Sequence, residues 1–307
     1  MVSNPAPSND DLRVFTAVVL KSSFSAAAKD LGASPAYISK RIKVLEDQLG
    51  TQLLHRTTRQ VALTEDGERV YRWAQRILDD LDQLLQEVGG TRAQPRGVLR
   101  VCSSFGFGRQ QVAPALGELT ARYPKLQVRL DLFDRLVDVA AEGFDLDVRV
   151  GDDIAPHLIA RRLAHNHRIL CAAPAYLAQH GTPRSLDELK AHACLAIKER
   201  DHPFGVWRLQ SEGREQMVKV QGPLSSNDGE VALRWALDGR GILLRSMWQV
   251  APLLASGALV PVLPGWEQPA NIWAVVPVRL ERSAKLRAAV EFLVQWFKPE
   301  AVAQRCL

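Results

Sequence analysis

Residues 25–46 constrain this chain more than any other stretch, because they read as two short helices joined by a tight turn. Ser25 is a suitable N-cap, and the alanines behind it form helix readily while letting a second helix pack close. Gly32 stands where a left-handed stop is wanted. Ser34 then caps a second helix, with Pro35 in the first position, where a missing N–H does no harm. Ile38, Ile42, Leu45 and Leu49 fall on one stripe of that helix. Ala36, Ser39, Lys40 and Lys43 fall on the other side. Such an outward face, small at its start and cationic further along, suits the major groove of duplex DNA. The alternative is a plain helical hairpin with a solvated basic face.

The flanks argue for the first reading. Asp10 and Asp11 precede Leu12, Phe15 and Val19, so a first helix begins with acidic residues at its positive end. Downstream, Leu53-Leu54-His55-Arg56 and Gln60-Val61-Ala62-Leu63 bracket Thr57-Thr58-Arg59, the pattern of a short hairpin with cations at its tip. Candidate DNA contacts are therefore Ser34, Pro35, Ala36, Tyr37, Ser39, Lys40 and Lys43 on the helix, with Arg56 and Arg59 on the wing. Lys40, Arg41, Lys43, Arg56 and Arg59 face only Glu46 and Asp47 as opposing charges, so the basicity is local.

From Leu12 to Gly67 the chain resembles the winged helix-turn-helix of LysR-type bacterial transcriptional regulators. The matching residues include Phe15, Ser25, Ala27, Ala28, Leu31, Ser34, Ser39, Ile42, Leu45, Glu46, Leu49, Gly50, Leu53, Leu54, Arg56, Leu63, Thr64 and Gly67. Many members carry Gln-Pro early in the recognition helix where this chain has Pro35-Ala36, so base preference does not transfer. The resemblance implies double-stranded promoter DNA as partner, self-association as a homodimer or homotetramer, a small-molecule effector and RNA polymerase as a further partner.

The chain has 307 residues, enough for a small domain and a larger bilobed one, and its net charge of +5 is compatible with a nucleic-acid partner. Residues 1–8 read as a loose polar tail. No signal peptide and no apolar run long enough to span a membrane stands out, so the expectation is cytoplasmic with no membrane partner. Cys102, Cys171, Cys194 and Cys306 lie far apart without metal-type spacing and read as reduced, mostly buried thiols. His165 and His167 share a strand face but lack companions at ligand spacing. No cofactor and no metal are expected.

Thr64 caps a long helix with Glu65 and Asp66 in its first turn. Val70, Ala74, Ile77, Leu81, Leu84 and Val88 alternate spacings of four and three and form a candidate dimerisation seam. The competing reading is one core-facing stripe, and Trp73, Leu78 and Leu85 widen it. Residues 90–97 read as a hinge. The expected division is a tail at 1–8, a DNA-binding domain at 9–66, a linker helix at 67–89, the hinge, and an effector domain at 98–300.

From residue 98 onward strands alternate with helices. Strands are expected at 98–102, 128–132, 146–150, 169–173, 195–198, 206–209, 218–220, 242–244 and 272–276. Helices are expected after the first strand and at 136–141, 187–191, 230–237, 248–255 and 283–296. The fold class is α/β, with two lobes and a cleft between them. The resemblance implies a domain similar to type 2 periplasmic binding proteins, with the last strand and helix returning to the first lobe. Lobe I then spans about 98–163 and 269–300, and lobe II about 164–268.

Ser103-Ser104-Phe105 precede one helix and Ser226-Asn227 another, and such N-termini favour a small anionic effector. The alternative for each serine is a plain cap. Arg149, Lys198 and His202 are candidate counter-charges, although Asp147, Asp152 or Asp153 can neutralise Arg149. Trp207 and Phe204 are either a wall of the pocket or core. Gly106-Phe107-Gly108 lacks the third glycine of a dinucleotide loop, Gln111 standing in its place. No nucleophile elbow, phosphate loop or paired acid and base is visible. A regulator is thus the leading reading, and an α/β enzyme or small-molecule-binding protein with an N-terminal interaction module is the alternative.

Overall fold

A computed structural model describes residues 6–56, 61–88, 94–198, 204–277 and 283–298. The chain divides into two compact units, Met1–Ala93 and Gln94–Leu307.

In the first unit α1 (Asn9–Lys21), α2 (Phe24–Asp30) and α3 (Pro35–Leu49) are followed by the antiparallel hairpin β1 (Leu54–Arg56) and β2 (Val61–Leu63), and by α4 (Glu65–Val88). Ser8 and Asp11 start α1 with a reciprocal capping box, so the expected tail is already ordered at Ser8. Ser23, not Ser25, caps α2: its hydroxyl accepts the Ala26 N–H at 3.3 Å, which leaves Ser25 inside the helix. Gly32 takes the left-handed conformation expected of it, at φ 62°. Ser34 caps α3 by accepting the Tyr37 N–H at 3.2 Å. Phe15, Val18, Ile38, Ile42, Leu45 and Leu53 are fully buried in one cluster. Each contributes roughly 1.5–3 kcal/mol by leaving water. Leu49 does not join them: it lies in the last turn of α3, beyond the cluster, and remains 39% exposed.

The turn into α4 depends on two residues. Thr64 Oγ1 accepts the Gly67 N–H at 2.9 Å and donates to the Gln52 carbonyl at 2.7 Å. A Cβ at residue 67 would lie 2.0 Å from the Leu53 carbonyl oxygen, so only glycine lets the helix approach that loop.

The second unit holds two sheets. One contains β3 (Gly97–Ser103), β4 (Leu126–Leu132), β5 (Leu146–Val150), β6 (Ile159–Ala164) and β14 (Ile272–Val276), in the order β4-β3-β5-β14-β6. The other contains β7 (His167–Ala172), β8 (Cys194–Ile197), β9 (Val206–Ser211), β10 (Arg214–Lys219), β11 (Ser225–Ser226), β12 (Ile242–Ser246) and β13 (Val260–Pro269), in the order β10-β9-β13-β7-β12-β8-β11. After β3, α5 (Phe105–Phe107), a π turn (Gly108–Val112) and α6 (Ala113–Arg122) follow one another without a break. The remaining helices are α7 (Pro174–His180), α8 (Gly229–Leu237), α9 (Met247–Ala255) and α10 (Ala284–Trp296), with a short helical turn at Asp187–Ala191. Since β14 and α10 pack with the first sheet, the chain returns to lobe I after building lobe II. It changes sheets at residues 165–166 and 270–271, where the sequence pattern places the passages near 163–165 and 264–269.

Residues 136–141 are turns rather than a helix, because Asp138 caps a single turn and Gly143 ends it at φ 82°. Strand β6 escapes the pattern because it carries Arg161-Arg162 on a sheet edge, and β13 because Pro261, Pro264 and Gly265 interrupt it around a bulge. Antiparallel partners flank β7 on both sides, so lobe II is mixed rather than simply wound.

Candidate functional site

Among the described residues, two places gather polar side chains suited to binding. The first is the outer side of α3. Ile38, Ile42 and Leu45 bury one side completely, which turns Ser34, Pro35, Ala36, Tyr37, Ser39, Lys40 and Lys43 to solvent, all of them exposed. Arg41 is diverted inward. Its guanidinium reaches Asp11 at 2.5 Å and the Ser8 hydroxyl at 2.9 Å, tying α3 to the start of α1. Glu46 spends one carboxylate oxygen on the Leu53 and Leu54 N–H groups, at 2.9 and 3.3 Å, fixing the root of the wing. The side chain of Arg56 and the whole of Arg59 lie outside the described residues.

Helix α4 splits the expected seam. Ala74 is fully buried and belongs with Val70, Tyr71 and Leu78 to the core that α1 and α3 form. Ala74 therefore cannot serve a partner, because its own unit already covers it. Ile77 and Leu84 are 43% and 55% exposed, Trp73 beside them 62%, and Leu81 is half-buried. The side chain of Val88 lies outside the described residues.

The second place is the cleft between the lobes of the second unit, a cavity of about 80 Å³. Lobe I lines it with Ser104, Phe105, Phe133 and Asp134, and lobe II with Arg168, Asn227, Asp228, Arg245, Ser246 and Trp248. Of the expected contacts, Ser104, Phe105 and Asn227 are there. Ser103 is not: it is 3% exposed and donates its hydroxyl to the Val148 carbonyl at 2.6 Å. Arg149 is likewise consumed, since it is 3% exposed and pairs with Asp147 inside lobe I. Ser226 turns its hydroxyl to the Asp228 N–H at 3.0 Å, a local turn contact. Lys198 is exposed at the end of β8 and does not line the cavity, and His202 lies outside the described residues.

The residues that the sequence reading missed include Phe133, Asp134, Arg168, Asp228, Ser246 and, above all, Arg245 and Trp248. Arg245 is the one charge in the Ile242–Ser246 strand, and that lone charge after Ile242-Leu243-Leu244 was the available signal. Its Nε donates to Gln249 Oε1 at 2.5 Å, and Gly229 leaves the space its guanidinium fills: a Cβ there would lie 2.0 Å from Nη1. Trp248 Nε1 and Gln249 Nε2 are buried donors without a hydrogen-bond acceptor. The carboxylates nearby are already engaged. Asp134 accepts from Asn227, and Asp228 accepts the Glu230 N–H at 2.7 Å. Donors gathered around a small interlobe cavity favour an anion.

Trp207 belongs to the lobe II core, whereas Phe204 is 57% exposed. His165 is exposed and His167 lies 3.5 Å from Glu267. Among the described residues no group of three His, Cys, Asp or Glu side chains is placed to hold a metal, and no helix is long and apolar enough to cross a membrane.

Comparison with known proteins bears on both units. Residues 9–68 match the bacterial regulatory helix-turn-helix protein, lysR family, and residues 92–298 match the LysR substrate binding domain. The chain is 58% identical over 294 residues to the HTH-type transcriptional regulator DmlR of Escherichia coli K12, covering 96% of each. It is 50% identical to the HTH-type transcriptional activator TtdR of the same strain, covering 95% of this chain and 94% of that one. Among solved structures, CrgA, a LysR-type transcriptional regulator from Neisseria meningitidis, superposes with a TM-score of 0.58 at 32% identity, covering 95% of this chain and 99% of that chain. The chain therefore belongs to the LysR family: it is a DNA-binding transcriptional regulator with an effector-binding domain, and not an enzyme.

Proposed function

We propose that this regulator is a homo-oligomer of the cytoplasm that grips promoter DNA with the outer side of α3, and that a small organic anion in the interlobe cleft alters that grip. The observation that carries the reading is the division of α3, which buries Ile38, Ile42 and Leu45 completely while Ser34, Ala36, Tyr37, Ser39, Lys40 and Lys43 are exposed. Lys40 and Lys43 are assigned to phosphates, and Ala36, Tyr37 and Ser39 to base edges. Arg56 and Arg59 are assigned to the wing's contact with the backbone. Gel-shift titration with the regulator's own promoter over a salt series tests this. Lys40→Ala is expected to weaken specific and random DNA alike and to reduce the log–log salt slope by about 1. An unchanged slope removes Lys40 from the interface.

The anion reading rests on Arg245, Arg168 and Trp248 lining one small cavity, with the buried indole N–H of Trp248 lacking an acceptor. Its check is a thermal-shift panel of small carboxylates on the full chain. A binder should raise the melting temperature of the wild type, and Trp248→Phe should weaken its affinity about ten-fold, the worth of one lost hydrogen bond to a charged ligand. A panel without any shift removes small carboxylates as the effector class.

A further inference from the structure

Beside the cleft the two lobes are joined by side chains that belong to opposite lobes. Arg109 and Gln110, in the π turn of lobe I, both reach Glu230 at the start of α8 in lobe II. Gln110 Nε2 donates to one carboxylate oxygen at 2.5 Å, and Arg109 donates to the other. Arg109 also lies 3.5 Å from Asp228. Beside them Asn227 of lobe II donates to Asp134 of lobe I. In the cavity wall the lobes also meet through apolar groups, with the Phe107 and Trp248 rings edge to face at 5.2 Å.

We propose that Glu230 is a positioning residue that straps the lobes together and so sets how much of the unliganded population has a closed cleft. The stem of Glu230 passes close to lobe I, where a Cβ at Gly106 would come 3.3 Å from Glu230 Cγ. The strap is built to be weak. Arg109 is 51% exposed and Glu230 28%, so water and salt screen the pair. A weak strap shifts a balance between two states without locking either. The apparent affinity of an effector that binds the closed form follows that balance.

This inference rests on the cleft being the effector site, but its test reads closure with no effector added. In the full chain with Cys306→Ser, spin labels are placed at Glu118→Cys on lobe I and Arg240→Cys on lobe II, both exposed. Labelled chain is diluted in unlabelled chain so that only distances within one chain are read. The wild type is expected to show one main distance, Glu230→Arg a second and more open population, and Arg109→Glu with Glu230→Arg a return toward the first. An unchanged distribution in Glu230→Arg overturns the strap, and so does a shift that the double variant fails to reverse. A silent carboxylate panel beside a successful swap would instead fault the choice of ligand and leave the strap standing.

Discussion

At the scale of single residues, packing decides which polar groups are free to act. Ser103 and Arg149 look available in the sequence, yet the Val148 carbonyl takes one and Asp147 the other. Cys171 and Cys194 show the same economy: burial pushes both thiols up to about 12, so they behave as small apolar groups at neutral pH. His192 gives a pH dependence that can be measured. Its Nδ1 lies 3.3 Å from the Tyr176 hydroxyl, and Tyr176 stacks on His180 with ring centroids 4.4 Å apart. Burial, and then His180, hold His192 below the ordinary value of 6.5. The unfolded chain thus takes up a proton first as pH falls through about 6.5, and stability declines from there until the folded group also titrates. Urea unfolding at pH 7.5 and 5.5 should show a smaller loss in His192→Asn than in the wild type. Equal losses would free His192 of this role.

At the scale of elements, α4 shows how one helix serves two surfaces. Its spacing of four and three is legible along the sequence, but that pattern does not say which covering it receives. The structure gives Ala74 and Val70 to the unit's own core and leaves Trp73, Ile77 and Leu84 exposed. An apolar strip of this kind on a regulator that self-associates is expected to meet a second copy. Leu84→Asp should therefore shift sedimentation toward monomer while the melting temperature stays within a few degrees. Ala74→Asp, which buries a charge, should lower stability by roughly 3 kcal/mol or more. An oligomer untouched by Leu84→Asp would place self-association on another face.

At the scale of the whole molecule, the second unit depends on contacts between residues far apart in sequence. Asn166, in the first passage between sheets, donates its side-chain amide to the Ala270 carbonyl at 2.7 Å in the second passage. Its side-chain oxygen accepts the backbone N–H of Trp248 at 3.3 Å, so the two passages between sheets and one wall of the cleft share a single side chain. Within lobe I Phe107 stacks on Phe297, just after α10, and across the cleft it meets Trp248, which links the lobe I core to lobe II.

Local chemistry made much of this chain readable before any fold was known. The capping serines, the prolines and glycines and the stripe Ile38, Ile42 and Leu45 act over one or two helical turns, so residues 25–46 announce their helices and the face that stays outside. Strand–helix alternation likewise implies α/β lobes, since each strand must bury its apolar run under a helix. Other features rest on partners distant in sequence. Which hydroxyl is free, which arginine is already paired, and which face of α4 is covered depend on the groups that folding brings alongside. Arg245 enters the cleft because Gly229 leaves room for it, and Glu230 straps the lobes because Arg109, 121 residues earlier, faces it there. Short-range periodicity carries no record of such pairs, because each is a meeting of surfaces that exist only once both lobes have folded.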